Sequence, residues 1–243
     1  MINKFNNHFF DVVDNEHKAY WLGFLWSDAY LGYRIRDNGR KEYNLKLSLM
    51  ENDYQHLEKL NKDINGTYNV HFYNYGKSAF CPTDKKEARL LITNQYFGSI
   101  LRDTYGIIPH REDFTKIANS TPENLAKHLI RGIVDADGTF CKYNIIENNR
   151  SLNKYTFQVC GTISTLEYIE SHLIKHELVN NTKRKYYKRH SEEDRDAGCK
   201  TFALSGRTQV TNVLDYLYKD ASIYLDRKFD KYKTIIGGDA IAV

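Results

Sequence analysis

Hydrophobic residues along this chain recur in two rhythms, and the order of those rhythms is used twice. In the first half a helix-length apolar stretch, Tyr20–Asp28 (YWLGFLWSD), runs into an alternating segment where Leu31, Tyr33 and Ile35 interleave with Gly32, Arg34 and Arg36. A polar turn leads to a second alternating run, Tyr43–Leu49 (YNLKLSL), and then to helical spacing over Tyr54–Ile64. Alternation of period two marks a half-buried strand, and returns every three or four residues mark a helix. Strand-like runs around Tyr68–Tyr73 and Ala88–Thr93 and a helix over Gln95–Tyr105 complete the half. The second half repeats the series: His128–Tyr143 (HLIRGIVDADGTFCKY), a strand at Tyr155–Cys160, a helix at Leu166–Leu178, strand-like runs around Thr182–Lys188 and Lys200–Leu204, and a helix at Thr208–Tyr218. Aligned on the acids, Gly23 falls on Gly132, Asp28 on Asp137 and Leu31 on Phe140. Each half reads helix–strand–strand–helix–strand–strand–helix, a duplicated α+β architecture.

The joint between the halves is also legible. Tyr105–Thr121 contains Gly106, Pro109 and a polar run, so residues 1–105 are expected to form one half, 106–121 a linker and 122–243 the other. Thr121-Pro122-Glu123 reads as an N-cap, a proline at the first helical position and an acid against the helix dipole, which starts the second repeat helix near Pro122. Asp14, before Glu16, is the equivalent cap expected for the first. Neither half closes a core alone, so the two are expected to pack as a pseudo-dimer.

Composition narrows the class. With 41% hydrophobic and 27% charged residues over 243 positions, the chain is neither disordered nor collagen-like. Its longest apolar stretch, Ala19–Trp26, is far short of the roughly 20 residues a membrane span needs. The opening MINKFNNHFF has no signal-peptide core, so an intracellular protein (cytoplasm or organelle matrix) without membrane partners is expected. Four widely spaced cysteines, Cys81, Cys141, Cys160 and Cys199, suggest neither a zinc pair nor a disulfide scaffold. The net charge of +4 suits a nucleic-acid partner only if the basic residues gather on one face. No glycine-rich phosphate loop or nucleophile elbow points to a small-molecule enzyme.

The chemistry concentrates at the two repeat helices. Gly23 and Gly132 stand where a residue without a Cβ lets two helix backbones approach closely, which would bring Asp28 and Asp137 near a shared axis. Two carboxylates at helix C-termini repel each other and the dipoles, and a hard divalent ion with oxygen ligands is the natural neutraliser. A lone acid at a helix end is ordinarily a cap or a solvated turn residue; two at matching places in a duplicated chain favour the metal. Asp135 has Trp26 opposite it in the first copy and reads as a structural acid.

These segments resemble the paired motifs of the LAGLIDADG homing endonucleases in their single-chain form. IRGIVDADG (Ile130–Gly138) matches the signature at most positions, with Arg131 in place of a small residue, and WLGFLWSDA (Trp21–Ala29) is a looser copy that keeps the glycine and the last acid. The resemblance implies tandem αββαββα units forming a pseudo-twofold pair whose saddle-shaped antiparallel sheets sit over duplex DNA. It implies that Asp28 and Asp137 bind Mg²⁺ at the scissile phosphates, with Mn²⁺ as a substitute and Ca²⁺ supporting binding without cleavage. It also places a basic residue after the third helix of each half: Lys228 in YLDRKF (Tyr224–Phe229), and Arg111 in GIIPHRE (Gly106–Glu112), where Glu112 departs from the pattern. The other reading of Lys228 is a solvated lysine among Arg227, Lys231 and Lys233.

Strand alternation supplies the candidate DNA contacts. Leu45, Leu47 and Leu49 take the core side and leave Arg34, Arg36, Asn44, Lys46 and Ser48 on the open side, a donor-rich set suited to base edges and phosphates. In the second half Tyr155, Phe157 and Val159 face inward, leaving Thr156 and Gln158 outward with Lys154 near the start; Tyr143, Lys183 and Lys185 are further candidates. A plain solvated sheet face is the alternative. The function expected is a monomeric, site-specific, Mg²⁺-dependent double-strand DNA endonuclease of intron-homing type with a long asymmetric site. The competing readings are an intron RNA maturase or a non-cleaving nucleic-acid-binding protein of the same fold.

Overall fold

A computed structural model describes residues 4–39, 41–76, 84–109, 113–147, 150–180, 187–188 and 199–237. The first repeat runs α1 (Glu16–Asp28), β1 (Ala29–Ile35), β2 (Lys41–Met50), α2 (Tyr54–Asp63), β3 (His71–Asn74), β4 (Lys86–Thr93) and α3 (Gln95–Ser99), which continues as a π-helical turn over Ile100–Thr104. A short helix, α4 (Thr115–Asn119), lies between the repeats. The second runs α5 (Ala126–Asp137), β5 (Gly138–Glu147), β6 (Arg150–Gly161), α6 (Ile163–Lys175), β7 (Tyr187–Lys188), β8 (Lys200–Ser205), α7 (Arg207–Tyr218) and a closing α8 (Asp226–Gly237).

Each repeat builds one antiparallel sheet, ordered β1-β2-β4-β3 and β5-β6-β8-β7. The same strand order twice is what a duplicated sequence should produce, and the α+β class read from the residues is the observed one. Both sheets bury one face. Leu45, Leu47 and Leu49 on β2 meet Leu90, Ile92 and Ala88 on β4, and Phe157 and Val159 on β6 meet Leu204 and Phe202 on β8. Alternation puts these on the side covered by helices. The linker is packed as well: Phe114 is buried, 5.1 Å from the Trp26 ring and 5.0 Å from Tyr168.

Three local expectations change. Asn15, rather than Asp14, caps α1, its side chain accepting from the Lys18 amide, while Asp14 pairs with the Lys18 ammonium at 3.0 Å. Thr121 does not cap α5. Its hydroxyl donates to the Ile117 carbonyl at 2.8 Å, closing α4 by the back-bonding available to a threonine four residues on, and a 3-10 turn over Glu123–Leu125 precedes α5. Tyr33 and Ile35, expected in the core, are 55% and 64% exposed. Their alternation is intact, but β1 outruns the helices beyond Leu31; Tyr33 lies instead against the Tyr43 ring, with the Arg102 and Lys41 cations nearby.

Candidate functional site

The site begins with the contact between α1 and α5, which pack along their length. A Cβ at Gly23 would fall 2.0 Å from the Leu129 carbonyl oxygen, and one at Gly132 would fall 2.0 Å from that of Tyr20. The contact is reciprocal, and only glycine permits it at either position. Tyr20, Leu22, Phe24, Leu129, Ile130 and Ile133 are fully buried around it. Both helices then end in the same way. Asp28 is the last residue of α1 and Asp137 the last of α5, and the next residue, Ala29 or Gly138, is already extended and starts a strand. Asp28 is exposed and Asp137 half-buried.

Neither helix has a basic residue in its last turn, so each acid adds its charge to the negative end of a helix dipole. Carboxylate oxygens at water-accessible helix ends are the donor set of a hard ion that keeps part of its hydration shell, and Mg²⁺ fits that chemistry. Soft nitrogen or sulfur donors would suit a different metal.

Beneath Asp137 the packing is polar, and both oxygens of a buried carboxylate there are hydrogen-bonded. Asp135 is wholly buried and accepts from the Tyr218 hydroxyl at 2.6 Å, the Tyr20 hydroxyl at 2.7 Å and the Leu225 amide at 2.7 Å. Burial raises its pKa, against the pull of those donors and of Lys228. Tyr20 spends its one proton on Asp135, so its oxygen accepts from His56 Nε2 at 2.9 Å. Asp135 thus ties α5 to α1, α7 and the segment entering α8. Its structural reading holds.

Arg131, the residue that departs from the signature, is fully buried. It donates through Nε to the Ile223 carbonyl and through a terminal nitrogen to that of Leu217, both at 2.9 Å, and binds the Glu16 carboxylate at 2.6 Å. Lys228 is 5% exposed, which rules out the solvated-lysine reading. Its ammonium donates to the carbonyl of Gly138, the residue after Asp137, and to that of Val134 at 3.4 Å. Burial, with Arg227 adding to it, pushes its pKa down to about 8 from 10.5, although Asp135 and Asp137 pull it back upward.

The open face of the first sheet carries the expected side chains in cross-strand rows. Lys46 stands opposite Tyr30, Asn44 opposite Gly32 and Ser48 opposite Arg89. Arg34 and Arg36 are exposed, and both are held by Glu42, Arg34 through Nε at 2.5 Å. In the second sheet Tyr143 pairs with Lys154, Cys141 with Thr156 and Thr139 with Gln158. Tyr143, Lys154 and Gln158 are exposed, and Thr156 is half-buried. Arg111, Lys183 and Lys185 lie outside the described residues. Sequence reading passed over Arg89, which sits on the same face with its guanidinium 4.3 Å from the Tyr73 ring. The signal was present: with Ala88, Leu90 and Ile92 inward, alternation leaves Arg89 outward.

No helix of the described residues is long and apolar enough to cross a membrane. Neither a protein-family model nor a curated protein matches the sequence. Solved structures do. The LAGLIDADG homing endonuclease I-LtrWI bound to target DNA aligns over 93% of this chain and 91% of its own, with a TM-score of 0.60 at 11% identity. The LAGLIDADG meganuclease I-CpaMI bound to uncleaved DNA aligns over 94% and 92%, with a TM-score of 0.59 at 12% identity. I-SmaMI, bound to an uncleaved DNA target in the presence of calcium ions, aligns over 94% and 92%, with a TM-score of 0.58 at 13% identity. The duplicated sheets, the glycine-locked helix pair and this near full-length likeness give the chain the pseudo-dimeric fold of the single-chain LAGLIDADG homing endonucleases.

Proposed function

We propose that this protein is a site-specific endonuclease that binds duplex DNA as a monomer and hydrolyses one phosphodiester in each strand. The observation that carries the reading is that Asp28 and Asp137 each end one of two helices locked together by a reciprocal contact that only glycine allows. The halves at 1–105 and 122–243 would each contribute one acid and one sheet, with 106–121 joining them.

In this reading Asp28 and Asp137 hold Mg²⁺ at the scissile phosphates. The bound ion supplies a Lewis acid for the phosphoryl oxygen and lowers the pKa of a coordinated water. Lys228 sits against the end of α5 with a pKa of about 8. It can therefore hold or release a proton beside Asp137 near neutral pH, which a solvated lysine does poorly. Arg111 would supply positive charge at the other centre. The open sheet faces would read the duplex: Arg34, Arg36, Asn44, Lys46 and Ser48 from one half, and Tyr143, Lys154, Thr156 and Gln158 from the other, extended by Lys183 and Lys185. Asp135, Tyr20 and Tyr218 set the position of the helix end and take no proton from substrate.

The test is cleavage of sites selected from a randomised duplex library in Mg²⁺, with Ca²⁺ as the non-cleaving control. Asp28→Asn and Asp137→Asn should each abolish double-strand cutting and leave affinity largely intact, because affinity comes from many phosphate contacts. Full cutting by either variant would remove the acids from the mechanism.

A further inference from the structure

At the opposite end of α5 from Asp137, a second cluster of metal-ligating side chains has no part in DNA cleavage. His172 lies in the last turn of α6 and His176 caps it, so the two share one face of the helix with ring centroids 4.4 Å apart. Glu123, from the 3-10 turn before α5, reaches across to both. Its Oε1 is 3.6 Å from His172 Nδ1 and 3.7 Å from His176 Nε2, and the three donor atoms all lie within 4.8 Å of one another. With ligand distances near 2.1 Å, the edges of a tetrahedral site are roughly 3.4 Å long. Two of the three edges are nearly at that length.

The surroundings support the same geometry. His172 is buried, and its far nitrogen, Nε2, bonds the Tyr216 hydroxyl at 2.9 Å, which fixes the ring with Nδ1 toward Glu123. A metal-bound imidazole is held in this way by a partner on its other nitrogen. Glu123 and His176 are exposed, leaving a side open for entry and for a water ligand. The Lys175 ammonium lies 2.7 Å from the same Glu123 oxygen, and at 61% exposure it can swing into solvent. We propose that Glu123, His172 and His176 form a binding site for a divalent transition-metal ion of the Zn²⁺ class, which clasps the entry of the second repeat's helix to α6. Two imidazoles and one carboxylate select such ions over Mg²⁺, which prefers oxygen ligands. From Ala126 to Asp137 the helix rises roughly 17 Å, so an ion here cannot act on the scissile phosphates.

The experiment uses untagged protein carrying Asp28→Asn and Asp137→Asn, so that metal bound at the paired acids does not contribute. Titration with Co²⁺ should give one saturable set of intense visible d–d bands, displaced by Zn²⁺, and Zn²⁺ should raise the melting temperature. His176→Ala and Glu123→Gln, both at exposed positions, should each weaken Co²⁺ binding by at least about tenfold, and Tyr216→Phe by about tenfold. Lys175→Ala should tighten it. Circular dichroism checks that each variant is folded. The absence of a saturable Co²⁺ band, or a band whose affinity is unchanged by both His176→Ala and Glu123→Gln, would overturn the site. Neither result depends on DNA cleavage.

Discussion

Gly132→Ala offers the sharpest test of how the two halves are held. The added Cβ would sit 2.0 Å from the Tyr20 carbonyl oxygen and 2.8 Å from the Phe24 amide nitrogen, where a relaxed contact needs about 3.5 Å. Both obstacles are backbone, so no rotamer change relieves them and the helices must part by more than about 1 Å. Overpacking a close-packed interior costs roughly 1–3 kcal/mol, and backbone on both sides puts this case at the upper end. The gain in helix propensity from glycine to alanine offsets about 1 kcal/mol of that. A net loss of about 2 kcal/mol would lower the melting temperature by roughly 4–8 °C in a chain of this size. Urea unfolding should show a lower midpoint at unchanged slope. Because one opening of the helix pair relieves both clashes, Gly23→Ala combined with Gly132→Ala should cost less than the sum of the two. Cleavage measured well below the melting transition should fall about 100-fold, since a displacement of 1 Å at the acids costs that much. Stabilisation by either substitution, or strict additivity of the pair, would refute the reciprocal contact.

The other predictions concern charge. Lys228 has a folded pKa of about 8 against 10.5 when unfolded, so the cost of burying it charged is full below pH 8 and lifts as pH rises toward 10.5. Relative to Lys228→Met, the wild type should gain about 3 kcal/mol across that window in urea titrations. In cleavage assays Lys228→Met should lose a limb of the rate profile near pH 8 and cut one strand more slowly than the other, leaving a nicked intermediate; equal strand rates would remove Lys228 from the mechanism. Glu42→Gln should free Arg34 and Arg36 for phosphates, tightening duplex binding in Ca²⁺ and steepening its salt dependence by about one unit per new contact. An unchanged slope in an anisotropy titration would take both arginines out of the interface. Arg131→Met should destabilise by about 3 kcal/mol in urea unfolding, because the Ile223 and Leu217 carbonyls lose their donor at a buried site and the half-buried Glu16 carboxylate, though it keeps the Ser222 amide, loses its countercharge; a neutral effect would refute that role for Arg131.

Much of this was readable from residue order, for identifiable reasons. Gly23, Gly132, Asp28 and Asp137 stood out because a duplicated chain repeats its constraints at matching places. The inward leucines of β2 stood out because alternation is local. What escaped was set by tertiary contact. Asp135 finds Tyr20, Tyr218 and the Leu225 amide on three separate segments, so nothing near it in sequence announces them. Lys228 had two readings until the packing of α8 under the end of α5 decided for burial. Tyr33 and Ile35 have the right period and the wrong surroundings, since a pattern does not say where the covering helices stop. Thr121 looked like a cap because the helix it actually closes, α4, is too short to signal itself.

The direct passage from helix to strand at Asp28–Ala29 and Asp137–Gly138 limits how this molecule can change. One inserted residue at either junction would turn the acid by about 100° around its helix, or flip every following side chain to the other sheet face. With no loop to absorb the error, these junctions cannot vary in length. The hairpin tips can, and the repeats differ there: base pairings Ala29↔Leu47 and Gly138↔Val159 match, while β5 and β6 run longer than β1 and β2 before turning. Length drift, whether by evolution or in a library, is therefore channelled outward along the hairpins, away from the acids.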